Sequence, residues 1–336
     1  MRLGSNRFRS PSVAILPFIT ACAQAPSFMR PAGQFGEREA WLGWVLLGIS
    51  SVVVVVIAVL VLAAALRPRA GSPDLIRPAP GETTWITVGG AIIPALILAA
   101  AFVYSVVTTS AITSSQPPAA ISILVTGHQW WWEVNYPGLQ PAQSIATANE
   151  IHIPAGVPVR IELRSADVIH SFWIPQLAGK TDVIPGHPNL AWIQADTPGV
   201  YRGMCAEYCG SQHGNMGLIV VADSPDRFRV WRESQLASAV QPTDPDQAIG
   251  RAVFEHSPCV GCHTIRGTPA LGKAGPDLTH LASRQQLAAG AAPNTRGFLA
   301  GWIADPQGIK PGNHMPRVPL TAQQLQGVLA YLESLY

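Results

Sequence analysis

Charge is what this chain has least of. Asp, Glu, Lys and Arg make up 12% of its 336 residues, and its mean hydropathy is +0.22, unusual for a soluble protein. The shortage is local: no charged side chain occurs between Ala40 and Leu66, or between Thr83 and Trp132. A basic stripe is also missing, since the net charge is only +2, and this argues against nucleic acid as a partner. Residues 121–230 lean slightly acidic, with nine acidic against six basic side chains. Such a face could steer a basic protein partner, though salt would screen so small an excess. Methionine is scarce too, and of the five in the chain only Met315 follows position 216. No internal repeat is evident.

The two uncharged stretches are long enough to matter, because a membrane-spanning helix needs roughly 20 apolar residues. Two transmembrane helices are therefore expected within residues 40–110, at about 41–66 and 85–107. The alternative, a pair of buried core helices, conflicts with their length and lack of charge. The intervening loop carries Arg67, Arg69 and Arg77 against Asp74 and Glu82. Short basic loops stay on the cytoplasmic side, so both ends of the chain and everything after residue 110 are expected outside. Residues 1–22 read as an export signal: Arg2, Arg7 and Arg9 precede the apolar run V-A-I-L-P-F-I. The run I-T-A-C resembles a bacterial lipoprotein cleavage box, which would leave a lipid on Cys22; the alternative is a plain signal peptide in which Cys22 is incidental. These features place the chain in a bacterial plasma membrane, crossing it twice, with its soluble domains on the outer, periplasmic face.

Residues 23–39 form a polar linker containing Pro and Gly. After the spans, S-S-Q-P-P-A-A marks a break, and residues 119–223 have β texture. I-S-I-L-V-T, E-I-H-I-P, V-P-V-R-I-E-L-R-S and G-L-I-V-V-A are short β-branched runs bounded by turn residues, which suggests a sandwich or barrel. Residues 224–247 form a connector with a short amphipathic helix around 228–236. Residues 248–336 read as helical, with Thr321 as N-cap of the last helix.

Chemistry concentrates in two motifs. The run M-C-A-E-Y-C-G-S-Q-H-G-N-M, residues 204–216, sets Cys205, Cys209, His213 and Met216 within twelve positions. Soft sulfur beside imidazole selects copper, and a blue-copper site needs only one cysteine. A second cysteine four residues on suggests two thiolates shared between two ions. The ligands are too close together for a regular strand to aim them at one point, so a loop between strands is expected, and one more imidazole must come from elsewhere. His170, at the end of a strand-like run, is the best candidate. The alternatives are a Cys205–Cys209 disulfide, which leaves His213 and Met216 unexplained, or zinc, whose structural sites rarely recruit methionine. The second motif, C-V-G-C-H at 259–263, reads as covalent c-type haem attachment through Cys259 and Cys262, with His263 on the iron. Methionine on the opposite face raises the potential, and Met315 is the one available; neighbouring His314 is the alternative.

Residues 35–230 resemble subunit II of the haem–copper cytochrome c oxidases. The resemblance rests on G-H-Q-W-W-W-E at 127, D-V-I-H-S-F at 167, K-T-D-V-I-P-G at 180 and the 204–216 loop. Residues 248–336 resemble class I cytochromes c. Together these imply a caa-type subunit II, a membrane-anchored multidomain protein: a two-helix transmembrane hairpin, a cupredoxin β-sandwich and an all-α cytochrome c domain. The resemblance implies a binuclear CuA centre in which Cys205 and Cys209 bridge both coppers. His170 and His213 would each cap one copper, Met216 would ligate one, and the Glu207 carbonyl the other. The Glu207 side chain would help bind magnesium at the interface with subunit I. Trp130 would pass electrons in over the copper, while Trp131 and Trp132 fit a membrane-interface belt or packing equally well. In the cytochrome part, the Gly275–Pro276 pair would let a backbone carbonyl orient His263, and Phe254 and Tyr331 would meet where terminal helices cross.

The implied function is electron transfer: electrons received by haem c pass through CuA to subunit I, which reduces oxygen to water and pumps protons. The implied partners are subunit I, other oxidase subunits, membrane lipid, and cytochrome c or a cytochrome bc complex as donor. Glu82 matches an acidic position at the mouth of a proton channel, or is simply an acid at a helix N-terminus. Lys180 and Asp182 resemble interface residues, or form a solvated pair. His128, His152, His187 and His256 read as surface or packing histidines. Two rivals from other classes are a membrane-bound copper-delivery protein, which would not need haem, and a different terminal reductase using the same copper centre.

Overall fold

The computed structural model describes residues 26–67, 81–114, 117–118, 120–140 and 143–336. Cys22 and most of the loop between the apolar stretches, including Arg69, Asp74 and Arg77, lie outside the described residues.

Helix α1 runs Gln34–Leu66. A second long helix begins as α2 (Glu82–Thr87), passes through a π turn at Val88–Ile92 and continues as α3 (Ile93–Ser114). Both are long and apolar enough to cross a membrane, and their apolar windows are unburied in the chain itself. At 1.5 Å per residue α1 is about 50 Å long, more than a bilayer core needs. The surplus lies at its N-terminal end, which starts at Gln34 rather than at the expected 41. There Phe35, Gly36 and Ala40 are buried, Ala32 N–H donates to the Gln176 carbonyl at 2.8 Å, and Asp196 N–H donates to the Ala32 carbonyl at 2.8 Å. The first turns of α1 are thus seated on the β domain. Arg38 also bonds the Ala111 carbonyl of α3 at 3.0 Å, so both ends of the helical hairpin meet on the β-domain side.

That domain is a sandwich of ten strands. One sheet has the order β3 (Ile145–Ala148), β2 (Trp131–Tyr136), β1 (Ile121–His128), β5 (Val159–Ser165), β8 (Asn189–Ile193). The other runs β4 (Glu150–Pro154), β10 (Gly217–Asp223), β9 (Gly199–Cys205), β6 (His170–Trp173), β7 (Thr181–Val183). Inward residues alternate along β1, β2 and β5, as one-sided burial requires. Ile123, Val125, Trp132, Val134, Ile161, Leu163 and Phe172 fill the space between the sheets. β10 is buried on both faces, because α4 (Pro225–Leu236) covers its outer side.

The C-terminal domain is built from α5 (Pro245–Glu255), α6 (Cys259–Cys262), α7 (Arg296–Ala304), α8 (Pro306–Ile309) and α9 (Ala322–Glu333). Thr321 caps α9 in a capping box with Gln324. Helices α5 and α9 cross at two glycines: a Cβ on Gly250 would sit 1.8 Å from the Gly327 carbonyl oxygen. Beside that crossing Phe254 and Tyr331 pack edge to face, ring centres 6.3 Å apart.

Candidate metal centre and haem site

Four chain segments converge at one end of the sandwich. Strand β6 begins with His170, fully buried. Strand β9 ends with Cys205, and the loop to β10 carries Cys209, His213 and Met216. That loop is held by its own backbone: Cys205 N–H donates to the Met216 carbonyl at 2.9 Å, and Ala206 N–H to the Ser171 carbonyl at 2.8 Å. The fourth segment is the β1–β2 turn, with Trp130.

Cys205 Sγ lies 3.8 Å from Cys209 Sγ, 3.9 Å from His170 Nδ1 and 3.2 Å from the Glu207 carbonyl oxygen. Cys209 Sγ lies 3.7 Å from His213 Nδ1 and 3.8 Å from Met216 Sδ. A disulfide needs about 2.05 Å between sulfurs, so the two thiols are not bonded to each other. All the ligand types anticipated from the 204–216 loop, together with His170, stand around one sulfur pair. Met216 is fully buried and both cysteines nearly so.

The two thiols perturb each other in opposite directions. Hydrogen bonding from Cys209, backed by His170, holds the Cys205 thiol well below the usual thiol range. The Cys209 thiol is driven up by that Cys205 neighbour and by burial. Two adjacent thiolates cannot both ionise unless positive charge is placed beside them. The donor set of two thiolates, two imidazoles and a thioether suits a soft ion.

Asp167 orients His170. Its Oδ1 lies 2.8 Å from His170 Nε2, which leaves Nδ1 turned toward the sulfurs. Burial alone would raise the Asp167 carboxyl, but bonds from His170 and from the Gln129 and Val168 N–H groups outweigh it and hold the group below its usual value. This carboxylate went unassigned in the sequence, although D-x-x-H was there to be read as a metal-ligand support.

The three tryptophans separate. Trp130, in the turn, is buried and its Nε1 donates to the Cys209 carbonyl at 2.9 Å. Gly210, at φ +117°, lets the copper-type loop pass over that ring, since a Cβ there would lie 2.9 Å from Trp130 Cζ2. Trp131 stacks on His128 at 4.5 Å. Trp132 is fully buried against Phe172, so of its two anticipated roles packing is the one the fold assigns. Glu207 is exposed, as are Lys180 and Asp182, and Glu82 stands in the first turn of α2.

His152, expected to be a surface or packing residue, sits in a network no motif announced. Its Nδ1 lies 2.9 Å from Asp223 Oδ2, its Nε2 lies 2.9 Å from Glu150 Oε1, and Trp231 of α4 stacks on its ring at 4.2 Å.

In the C-terminal domain Cys259 and Cys262 bracket α6 as free thiols. His263 Nδ1 pairs with the Pro276 carbonyl at 2.8 Å, and burial lowers its pKa. With Nδ1 engaged there, Nε2 is left for a metal. Arg284 tests the fit of haem here: its Nε is buried with no partner, although Nη2 reaches the Asp277 carbonyl. A buried guanidinium with a free N–H calls for an anion, which a haem propionate would supply. His280 is bound to the Tyr336 carbonyl at 2.6 Å and is structural. Met315 lies in the loop after α8, its N–H bonded to Asn313 Oδ1 at 2.8 Å; His314 beside it is exposed and stands 6.2 Å, ring to ring, from Trp130.

A sandwich with a sulfur–imidazole cluster at one end, followed by a helical domain with a C-x-x-C-H turn, sets two soft-donor sites in one chain that also carries two long apolar helices. Residues 139–223 match the family described as cytochrome c oxidase subunit II, periplasmic domain, and residues 247–336 match cytochrome c. The chain thus has a region similar to a cytochrome c oxidase subunit II periplasmic domain, followed by a region similar to cytochrome c. It is 40% identical over 194 residues to cytochrome c oxidase subunit 2 of Alkalihalophilus pseudofirmus, covering 57% of this chain and 56% of that protein. It is 34% identical over 207 residues to the same subunit of Bacillus sp. (strain PS3), covering 58% of each. The chain spans somewhat more than half the length of these relatives. Among solved structures it is similar to the periplasmic domain of subunit II of Bradyrhizobium japonicum cytochrome oxidase, at 30% identity and a TM-score of 0.33, covering 35% of this chain and 95% of that one.

Proposed function

We propose that this chain is the electron-accepting subunit II of a caa-type cytochrome c oxidase in a bacterial plasma membrane. Cys205 and Cys209 would bridge a pair of coppers, His170 and His213 would hold them through Nδ1, and Met216 Sδ and the Glu207 carbonyl would complete the set. Cys259 and Cys262 would carry the haem as thioethers, with His263 and Met315 on the iron. When bound, these groups supply reversible one-electron chemistry, and the substrate oxygen is handled in subunit I.

The chain's own part is to orient and exclude. Asp167 sets the His170 tautomer, the sandwich core keeps water from the sulfurs, and Trp130 spans from the copper loop toward the haem domain. The exposed Glu207 carboxylate would share a magnesium ion with subunit I. Glu82 would stand at the start of a proton path. The donor would be cytochrome c or a cytochrome bc complex, reached across the mildly acidic outer face, and Cys22 would add a lipid anchor.

The observation that carries this reading is the clustering of both thiols, both imidazoles and the thioether at 3.7 to 3.9 Å. The test is electron-spin resonance and metal analysis of the purified full chain. Two coppers with a seven-line hyperfine pattern in the half-reduced sample are expected; one zinc per chain would end the reading. A terminal reductase for another substrate remains the second reading, since the substrate is chosen in the partner subunit. A co-purifying subunit I that consumes oxygen supports the oxidase.

A further inference from the structure

Lys310 is the most buried charged side chain outside the metal-binding cluster that the proposed function does not use. It lies just after α8 in the cytochrome domain and is 2% exposed. Its three ammonium protons meet three backbone carbonyls: Trp130 at 2.7 Å, Asn215 at 2.7 Å and Ala288 at 2.8 Å. Trp130 belongs to the β1–β2 turn, Asn215 to the metal-binding loop next to Met216, and Ala288 to the cytochrome domain itself. A buried ammonium is tolerable only where each proton has an acceptor. Two of the three acceptors here exist only while the domains are docked.

The surrounding backbone is shaped for this contact. Ala288 and Ala289 adopt φ of +51° and +60°, followed by Gly290 at +83°, a left-handed run that alanine disfavours. The run turns the Ala288 carbonyl onto the ammonium. Around the same seam Gln212 Nε2 donates to the Pro311 carbonyl at 2.8 Å, and Gln285 N–H donates to the buried Glu150 at 3.0 Å.

We propose that Lys310 is a positioning residue that latches the cytochrome domain in one orientation on the metal-binding loop, with Trp130 clamped between the two domains. Trp130 is held at its carbonyl by Lys310 and at its indole by the Cys209 carbonyl. Five residues beyond Lys310 the same loop carries Met315. Withdrawing the ammonium therefore frees the loop that bears the expected iron ligand from the ring over the copper loop. Without the latch the connector still tethers the domains, but the productive arrangement must then be found by search at an effective concentration of roughly millimolar. This inference rests on the proposed electron path from haem to copper.

The test uses the full chain loaded with haem and copper. A flash reduces the haem, and its reoxidation by copper is followed in buffers of increasing sucrose viscosity. The wild-type rate is expected to ignore viscosity, because no domain search precedes transfer. Lys310→Met is expected to slow transfer at least about tenfold and make it viscosity-dependent, with haem optical and copper spin spectra unchanged. An unchanged, viscosity-independent rate in Lys310→Met overturns the latch. If Lys310→Met does not accumulate folded, the wild-type measurement decides alone, and a rate that falls with viscosity overturns it. No haem-to-copper transfer in a fully loaded wild-type chain would instead overturn the electron path itself.

Discussion

The indole nitrogen of Trp130 donates to the carbonyl of Cys209 at 2.9 Å. One residue of the β1–β2 turn is thereby tied to the loop that presents both sulfurs, 79 positions away in the chain. The ring lies on the side of the loop that faces the cytochrome domain, 6.2 Å from the imidazole of His314.

Trp130→Phe keeps an aromatic ring but removes the bond to Cys209. The stability cost is expected to be about 1 kcal/mol, the net worth of one neutral hydrogen bond. The copper spin spectrum should be retained while flash-induced transfer from haem slows. A wild-type rate in this variant would remove Trp130 from the path.

Met216→Leu conserves volume at a fully buried position, so the expected loss of stability is under about 1.5 kcal/mol. The thioether that stands 3.8 Å from Cys209 Sγ is gone. Two coppers per chain should remain, with a changed potential and slower transfer to subunit I. An unaltered potential and rate would show that Met216 is no ligand.

Asp167→Asn replaces the carboxylate that orients His170. Loss of such a support typically costs about 10–100-fold in metal affinity. Competition against a copper chelator should register that weakening, and the hyperfine pattern should alter. Wild-type affinity would mean that the Asp167–His170 pair is only structural.

Cys262→Ser removes one of the two thioether positions on α6. Haem staining of the denatured chain is expected to weaken or vanish, while copper content stays at two per chain. Normal staining would contradict covalent attachment at this residue.

Much of the fold was legible because its signals are local. Two uncharged runs announced the membrane hairpin, period-two alternation announced β1 and β5, and Thr321 marked the start of α9. The sulfur–imidazole loop was legible for the same reason, since four donors fall within twelve positions. Distance in the chain hid the rest. Asp167 looked like an ordinary strand-end acid until His170 was seen bonded to it. Glu150 and His152 share one face of β4 by their spacing, but nothing in the sequence brings Asp223 of the parallel neighbour β10 to them. The tryptophan run divided into an interdomain ring, a surface stack and a core residue only once the turn at 129–130 set which side each ring faces.

By itself the amino-acid sequence determined where the chain is apolar enough for lipid and which stretches alternate as strands. It also determined the two clusters of soft donors, at 204–216 and 259–263, since all of these depend on neighbours a few residues apart. The tertiary structure alone decided that Asp167 supports His170, and that Lys310 reaches the carbonyl of Trp130 across 180 positions. It also decided that Arg284 Nε is buried without a hydrogen-bond partner. Those contacts follow from how the two sheets close and how one domain settles on the other, and burial enforces them because an unpaired polar atom inside a protein is costly.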